Sequence, residues 1–276
     1  MDSAVVKAFL FFVVWGGLWL PLAIPVAVVV KWRPGKPIEA AQKLPLLASL
    51  YLLAPLVVWG ATRVNASSFA AYGMVWQRSL LVSLLAGLAL AVAGLGLLVL
   101  IQWALGWIAL NGKTNRDRSD TSTTQAETPP SLAKVVLPLL LLALWIGWTE
   151  ELVFRGFLLN QLHQSYGWGL TAAIASGIFA LLHLIWEGRE NVPQLPGLWL
   201  MGMVLALARW ADGGQLGLAW GLHAGWVWGI ASLDTAAVFR PTVKSKPWLV
   251  GRPGQPLTGL MTILLMLATA GVLWQL

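Results

Sequence analysis

The chain alternates long apolar runs with short polar breaks. Eight runs approach the roughly 20 residues that a bilayer-crossing helix needs. They lie at about 8–30, 44–63, 80–109, 134–163, 168–186, 194–210, 215–233 and 257–276. The pattern predicts an all-α fold, a polytopic transmembrane helical bundle of about eight spans. The first run is longer than the roughly 7–15-residue core of a signal peptide, and no small-residue cleavage site follows it, so it reads as an anchor. Residues 111–131 (NGKTNRDRSDTSTTQAETPPS) contain no apolar run and read as a flexible cytoplasmic linker. The expected organisation is a three-span scaffold over 1–110, this linker, a four-span core over 132–233, and a basic loop with a last span over 234–276.

Composition sharpens the class. Hydrophobic residues make up 58% of the 276 and charged residues 11%, against about 25% charged in a soluble domain. The chain has no cysteine, which excludes a disulfide framework, a thiol nucleophile and a thiolate metal site. A net charge of +7 could suggest nucleic acid. In so apolar a chain, basic loops against an anionic membrane surface account for it better. With both termini outside, 13 of the 18 Lys and Arg fall in cytoplasmic loops, the distribution the positive-inside rule favours. Several of the 18 tryptophans, among them Trp32, Trp168, Trp186 and Trp248, sit at predicted span ends, where indole prefers the headgroup region.

The front spans carry no acid and no histidine within their apolar runs and read as scaffold. The back part is different. Glu150, Glu151 and Arg155 share one span, His183 sits in the next, and His223 lies two spans later. Ionisable groups inside a bilayer are costly and are functional candidates by default. Glu150 lies 15 residues before Ser165, and His183 lies 14 after Gly169, on either side of the turn Ser165-Tyr166-Gly167-Trp168-Gly169. Both residues are then roughly 21–23 Å from the turn if the helices are regular. An antiparallel hairpin brings them to one depth.

Adjacent helical residues point about 100° apart, so Glu150 and Glu151 are not expected to face one neighbour. Glu151 and Arg155 are spaced i,i+4 in the orientation that favours an ion pair. That leaves Glu150 as the expected base, supported by Glu151 and Arg155. Gly217, Gly221, Gly225 and Gly229 recur every fourth residue and form a helix-packing groove. His223 lies on another face of that helix. Polar glue between helices is the bland reading of these groups, and it suits one buried histidine better than five ionisable groups with two at matched depth. His163 reads as interfacial. Glu187, Arg189, Glu190 and Asn191 read as a solvated loop, and Asp212 and Asp234 as loop or cap residues.

No HExxH signature is present. Ser176 and Ser232 have no evident base. The economical chemistry is water activated by Glu150, with His183 as its hydrogen-bond partner, and His223 donating to a developing oxyanion. The reaction is then amide hydrolysis in or next to the bilayer. No cofactor is expected. Zinc remains possible for a site assembled from three helices.

These residues resemble a known family. Glu150-Glu151-Leu-Val-Phe-Arg155 resembles the EExxxR motif of the CPBP intramembrane proteases, which include type II CAAX prenyl endopeptidases and the Abi immunity proteins. Phe179-Ala-Leu-Leu-His183 resembles their FxxxH motif, and His223 the histidine of HxxxN. The resemblance covers about residues 132–233. It implies a helical fold around an intramembrane cavity and proteolysis with Glu150 catalytic, His183 helping to activate water and His223 near the oxyanion. The implied partners are membrane lipid and a membrane-associated or lipidated peptide or protein, with no nucleic acid. A multi-pass protein of a bacterial plasma membrane is the expected setting. Val227 stands where the family has Asn or Asp, so one orienting contact is missing. A non-catalytic immunity or interaction protein using the same cavity is the alternative, and a proton-coupled transporter is a third.

Overall fold

The computed structural model describes residues 4–33, 35–36, 38–111 and 129–276. It is an all-α bundle, as the apolar pattern predicts. Helices α1 (Ala4–Val29), α2 (Ala40–Val64) and α3 (Arg78–Ala104) form the front part. Helix α4 (Leu132–Glu150) passes into a π-helical segment, Glu151–Leu158, and then α5 (Leu159–His163). A turn leads to α6 (Trp168–Glu187). A 3₁₀ segment, Arg189–Gln194, enters α7 (Leu195–Ala211), and α8 (Gly217–Thr235) follows. Short strands β1 (Ile108–Leu110) and β2 (Phe239–Pro241) pair antiparallel beside the ends of α3 and α8. The chain closes with α9 (Pro247–Val250), a 3₁₀ turn at Pro256–Thr258 and α10 (Leu260–Leu273). Most of the expected linker, residues 112–128, lies outside the described residues.

Among the described residues, six helical stretches are long and apolar enough to cross a membrane: Ala4–Val29, Ala41–Val64, Arg78–Ala104, Leu132–His163, Trp168–Glu187 and Arg189–Ala211. The protein is an integral, multi-pass membrane protein. The other two expected spans are the helices α8 and α10. Helix α10 has 14 residues, or about 21 Å of rise, short of a hydrocarbon core of about 30 Å. Helix α8 carries four glycines and His223, and its middle is buried by neighbouring helices.

The glycine row explains that burial. A Cβ at Gly217 would sit 2.6 Å from the Leu80 carbonyl oxygen, and one at Gly221 2.0 Å from that of Leu84. Gly87 of α3 meets the Leu218 carbonyl oxygen in the same way, at 2.3 Å. The α3 and α8 backbones therefore touch, as a small-residue seam allows. The opposite face of α8 rests on α4, where the Trp220 indole N–H donates to the Leu144 carbonyl at 2.7 Å and that of Trp228 to Val136 at 2.8 Å. His223 is thereby held between two tightly seated neighbours.

The turn expected at 165–169 is present between α5 and α6. His163 is exposed there, its ring edge-on to Trp168. The loop expected after α6 is less simple. Glu187 is exposed and paired with Lys43, but Asn191 is buried and accepts a hydrogen bond from Gln194. The 3₁₀ turn folds the Asn191 side chain inward, so its solvated reading is corrected. Asp212 is a cap-like residue, taking hydrogen bonds from the Ser83 hydroxyl and the Leu218 amide.

Candidate active site

The site begins where α4 loses α-helical spacing. From Glu151 to Leu158 the ladder is π-helical, and all eight residues are buried. Such segments are rare and concentrate at functional sites. The wider turn frees carbonyls that need donors. Arg209 of α7 serves one of them: its guanidinium donates to the Arg155 carbonyl, while its Nε is anchored on the Gly214 carbonyl of the following loop at 3.0 Å.

Regular geometry does not foresee the result. Glu150 and Glu151 reach the same imidazole from opposite edges. His223 Nδ1 lies 2.7 Å from Glu151 Oε1, and His223 Nε2 lies 3.5 Å from Glu150 Oε2. The expectation that the two acids serve different neighbours is thus corrected. The switch of helix type at Glu151 and the length of both side chains let them grip the ring. The other expected pair forms: Arg155 donates to Glu151 Oε1 at 2.9 Å. Both partners are essentially sealed, with side chains 2% and 0% exposed, so the ion pair is the kind whose rupture is expensive.

The hydrogen-bond partners indicate where the imidazole hydrogens point. Glu151, paired with Arg155, accepts from His223 Nδ1–H. A neutral His223 would then turn a lone pair from Nε2 toward Glu150.

Phe179 is the hub behind this row, fully buried. The Arg155 guanidinium stacks over its ring at 4.4 Å, and the rings of His183 and His223 approach at 4.6 and 6.1 Å. Its carbonyl accepts from His183 Nδ1 at 2.8 Å. Since a carbonyl only accepts, Nδ1 carries the hydrogen and neutral His183 keeps a lone pair on Nε2.

Glu150 and His183 line one cavity of about 620 Å³, walled by α1, α2, α4 and α6. The depth match read from the turn therefore holds to that extent. Among the described residues Glu150 makes no direct hydrogen bond to His183; its polar partners are Tyr51 and His223. The rest of the wall is mainly apolar, including Phe12, Trp15, Leu47 and Ile146, with the Lys43–Glu187 ion pair at one end.

Tyr51 is the residue that sequence reasoning missed. Its hydroxyl donates to Glu150 Oε1, so α1 and α2 do more than support the back part. The available signal was a lone phenol in the apolar run Leu47–Leu56; the pairing partner, 99 positions away, was not visible. Ser176 and Ser232 are buried, have no hydrogen-bond partner among the described residues and stand outside the cavity wall. Val227 is half-buried and also outside that wall.

The metal question turns on donors. His223 offers neither nitrogen freely, and His183 offers one. Among the described residues no group of three or more His, Asp or Glu side chains could hold a metal ion.

Comparison with known proteins matches the same part of the chain. A 24.3 kDa protein of Escherichia coli, named only as uncharacterized, is 30% identical over 125 residues, or 42% of this chain. The match spans 56% of that relative, so the chain covers about half the length of the curated protein it resembles. The sequence model of the family described as type II CAAX prenyl endopeptidase, Rce1-like, matches residues 132–229. That stretch runs from the start of α4 through His223 and holds the EExxxR, FxxxH and histidine positions, so this part of the chain is similar to that family.

Proposed function

We propose that the protein is an intramembrane endopeptidase that hydrolyses a peptide bond of a membrane-associated substrate by a glutamate-activated water. The observation that carries this reading is the Glu150 carboxylate on the wall of an apolar cavity within the helical bundle, held by Tyr51 and His223 with His183 in the same wall. A carboxylate and an imidazole lone pair on one such wall can share one water molecule.

In this mechanism the water lies between Glu150 and His183 Nε2. Its oxygen attacks the carbonyl carbon while its proton passes to Glu150. The carbonyl π pair moves onto oxygen and gives a tetrahedral intermediate. Collapse of that intermediate breaks the C–N bond, and Glu150 returns the proton to the leaving amine. Glu151, held by Arg155, fixes His223, and His223 fixes Glu150. With both nitrogens facing carboxylates, His223 is a positioning group, and the oxyanion role expected for it passes to another donor.

The family supports a membrane-associated substrate in a lipid environment. A bacterial plasma membrane is the proposed setting, consistent with the Escherichia coli relative. The reading requires no metal, and elemental analysis of purified active protein should find no stoichiometric zinc. The decisive experiment reconstitutes the protein in proteoliposomes with a membrane-tethered peptide library. Cleavage by the native protein and none by Glu150→Gln is expected. Equal cleavage by both, or none by the native protein, rejects the proposal.

A further inference from the structure

Neither histidine of the site has a hydrogen free for the oxyanion. His223 is committed to two carboxylates. Neutral His183 points its hydrogen at the Phe179 carbonyl and a lone pair elsewhere. Val227, one turn after His223, has no polar atom in its side chain.

The cavity wall narrows the choice. The Trp15 indole N–H donates to the Leu50 carbonyl at 3.0 Å, and that of Trp19 to the Ser49 hydroxyl at 2.9 Å. Lys43 is paired with Glu187, and the Trp186 indole, edge-on to Trp19 with ring centroids 5.8 Å apart, is the remaining side-chain donor beside Tyr51 on the wall. Tyr51 is the one hydroxyl-bearing residue among those lining the cavity. It is 8% exposed, its ring is fixed edge-on against Trp145 with centroids 6.1 Å apart, and its hydrogen is directed at the group that takes the water proton.

We propose that Tyr51 is a catalytic residue of this chain, its phenol donating to Glu150 in the resting site and to the oxyanion as the tetrahedral intermediate forms. The inference rests on the peptidase reading above. Its chemistry is a transfer of one hydrogen bond. While Glu150 is a carboxylate, it is the best acceptor within reach of the phenol. When Glu150 gains the water proton it becomes a weaker acceptor, and at that moment the carbonyl oxygen becomes an anion. The phenol keeps its proton throughout, so no bond to hydrogen is broken at Tyr51. A donor used this way stabilises charge that exists only in and near the transition state, which raises kcat and leaves ground-state binding alone.

The test uses the full chain in proteoliposomes with a peptide that the native protein cleaves. Tyr51→Phe keeps the ring against Trp145 and removes only the hydroxyl. Its kcat should fall about 100-fold, in the range for loss of one oxyanion donor, with KM changed by less than about 3-fold. Fluorinated tyrosines placed at position 51 keep the hydroxyl and make it more acidic, and kcat should track phenol acidity. A merely structural tyrosine would not produce that trend. Tyr51→Phe with native kcat, or fluorotyrosines that leave kcat unchanged, overturns the proposal. Glu150→Gln in the same assay separates the two claims. If it is inactive while Tyr51→Phe works normally, only the role of Tyr51 falls; if it is active, the peptidase reading falls and takes this inference with it. Should Tyr51→Phe fail to fold, the fluorotyrosine series still decides.

Discussion

Replacing Gly221 with alanine tests how the site is held. The new Cβ would lie 2.0 Å from the Leu84 carbonyl oxygen, 2.7 Å from the Leu88 amide nitrogen and 2.9 Å from the Leu84 carbonyl carbon. All three are backbone atoms of α3, so no side chain can rotate away. Ordinary contact begins near 3.4 Å, and reaching it means parting the helices by about 1.4 Å, the difference from 2.0 Å. Overpacking of this sort costs about 1–3 kcal/mol. Alanine's better helix propensity returns up to about 1 kcal/mol. Gly96→Ala is the control, because nothing lies within 4 Å of its added methyl and it keeps the propensity gain alone. The two variants should therefore differ by about 1–3 kcal/mol. At roughly 2–4 °C per kcal/mol for a chain of this size, Gly221→Ala should melt several degrees lower in detergent, followed by tryptophan emission. It should also lose activity out of proportion to its stability. His223 lies two residues on, and its 2.7 Å contact with Glu151 does not survive a shift of about 1.4 Å. Equal midpoints and equal activities for the two variants would refute the close-packed seam.

Further outcomes follow from the same geometry. Arg155→Met leaves the buried Glu151 without its guanidinium, with only His223 as a partner, and should cost about 3–5 kcal/mol, read from denaturant titration. Lys43→Gln, which breaks the half-exposed pair with Glu187, should change stability by no more than about 1 kcal/mol in the same titration. Arg209→Met strips donors from the carbonyls of Arg155 and Gly214 and should destabilise by about 1–3 kcal/mol, with faster amide exchange across Glu151–Leu158. His183→Ala should lower kcat by about 100-fold or more, the contribution of a positioned acid–base group, with a smaller effect on KM.

Much of the bundle was legible because lipid imposes simple rules. Apolar runs of fixed length gave the helices, and the spacing of four gave the Gly217–Gly229 groove. The i,i+4 spacing gave the Glu151–Arg155 pair, and equal distances from one turn put Glu150 and His183 beside one cavity. What stayed hidden depends on contacts between distant segments or on departures from regular backbone. The glycine groove did not reveal that α3 fills it. The π-helical stretch leaves no periodic signal in ELVFRGFL, and without it the shared grip on His223 looked excluded. Tyr51 belongs to a run that reads as scaffold, and only the fold brings it to Glu150. Asn191 looked solvated because its neighbours are charged, but the 3₁₀ turn buries it.

A single turnover in water enriched with oxygen-18, with enzyme in excess over one cleaved peptide, probes the attacking oxygen itself. Direct attack by a water that Glu150 activates predicts one heavy oxygen in the new carboxylate from the native protein, and no product from Glu150→Gln. A first-turnover product without the label would mean that the carboxylate itself had attacked, and labelled product from Glu150→Gln would mean that this acid is not the base; either result contradicts the account.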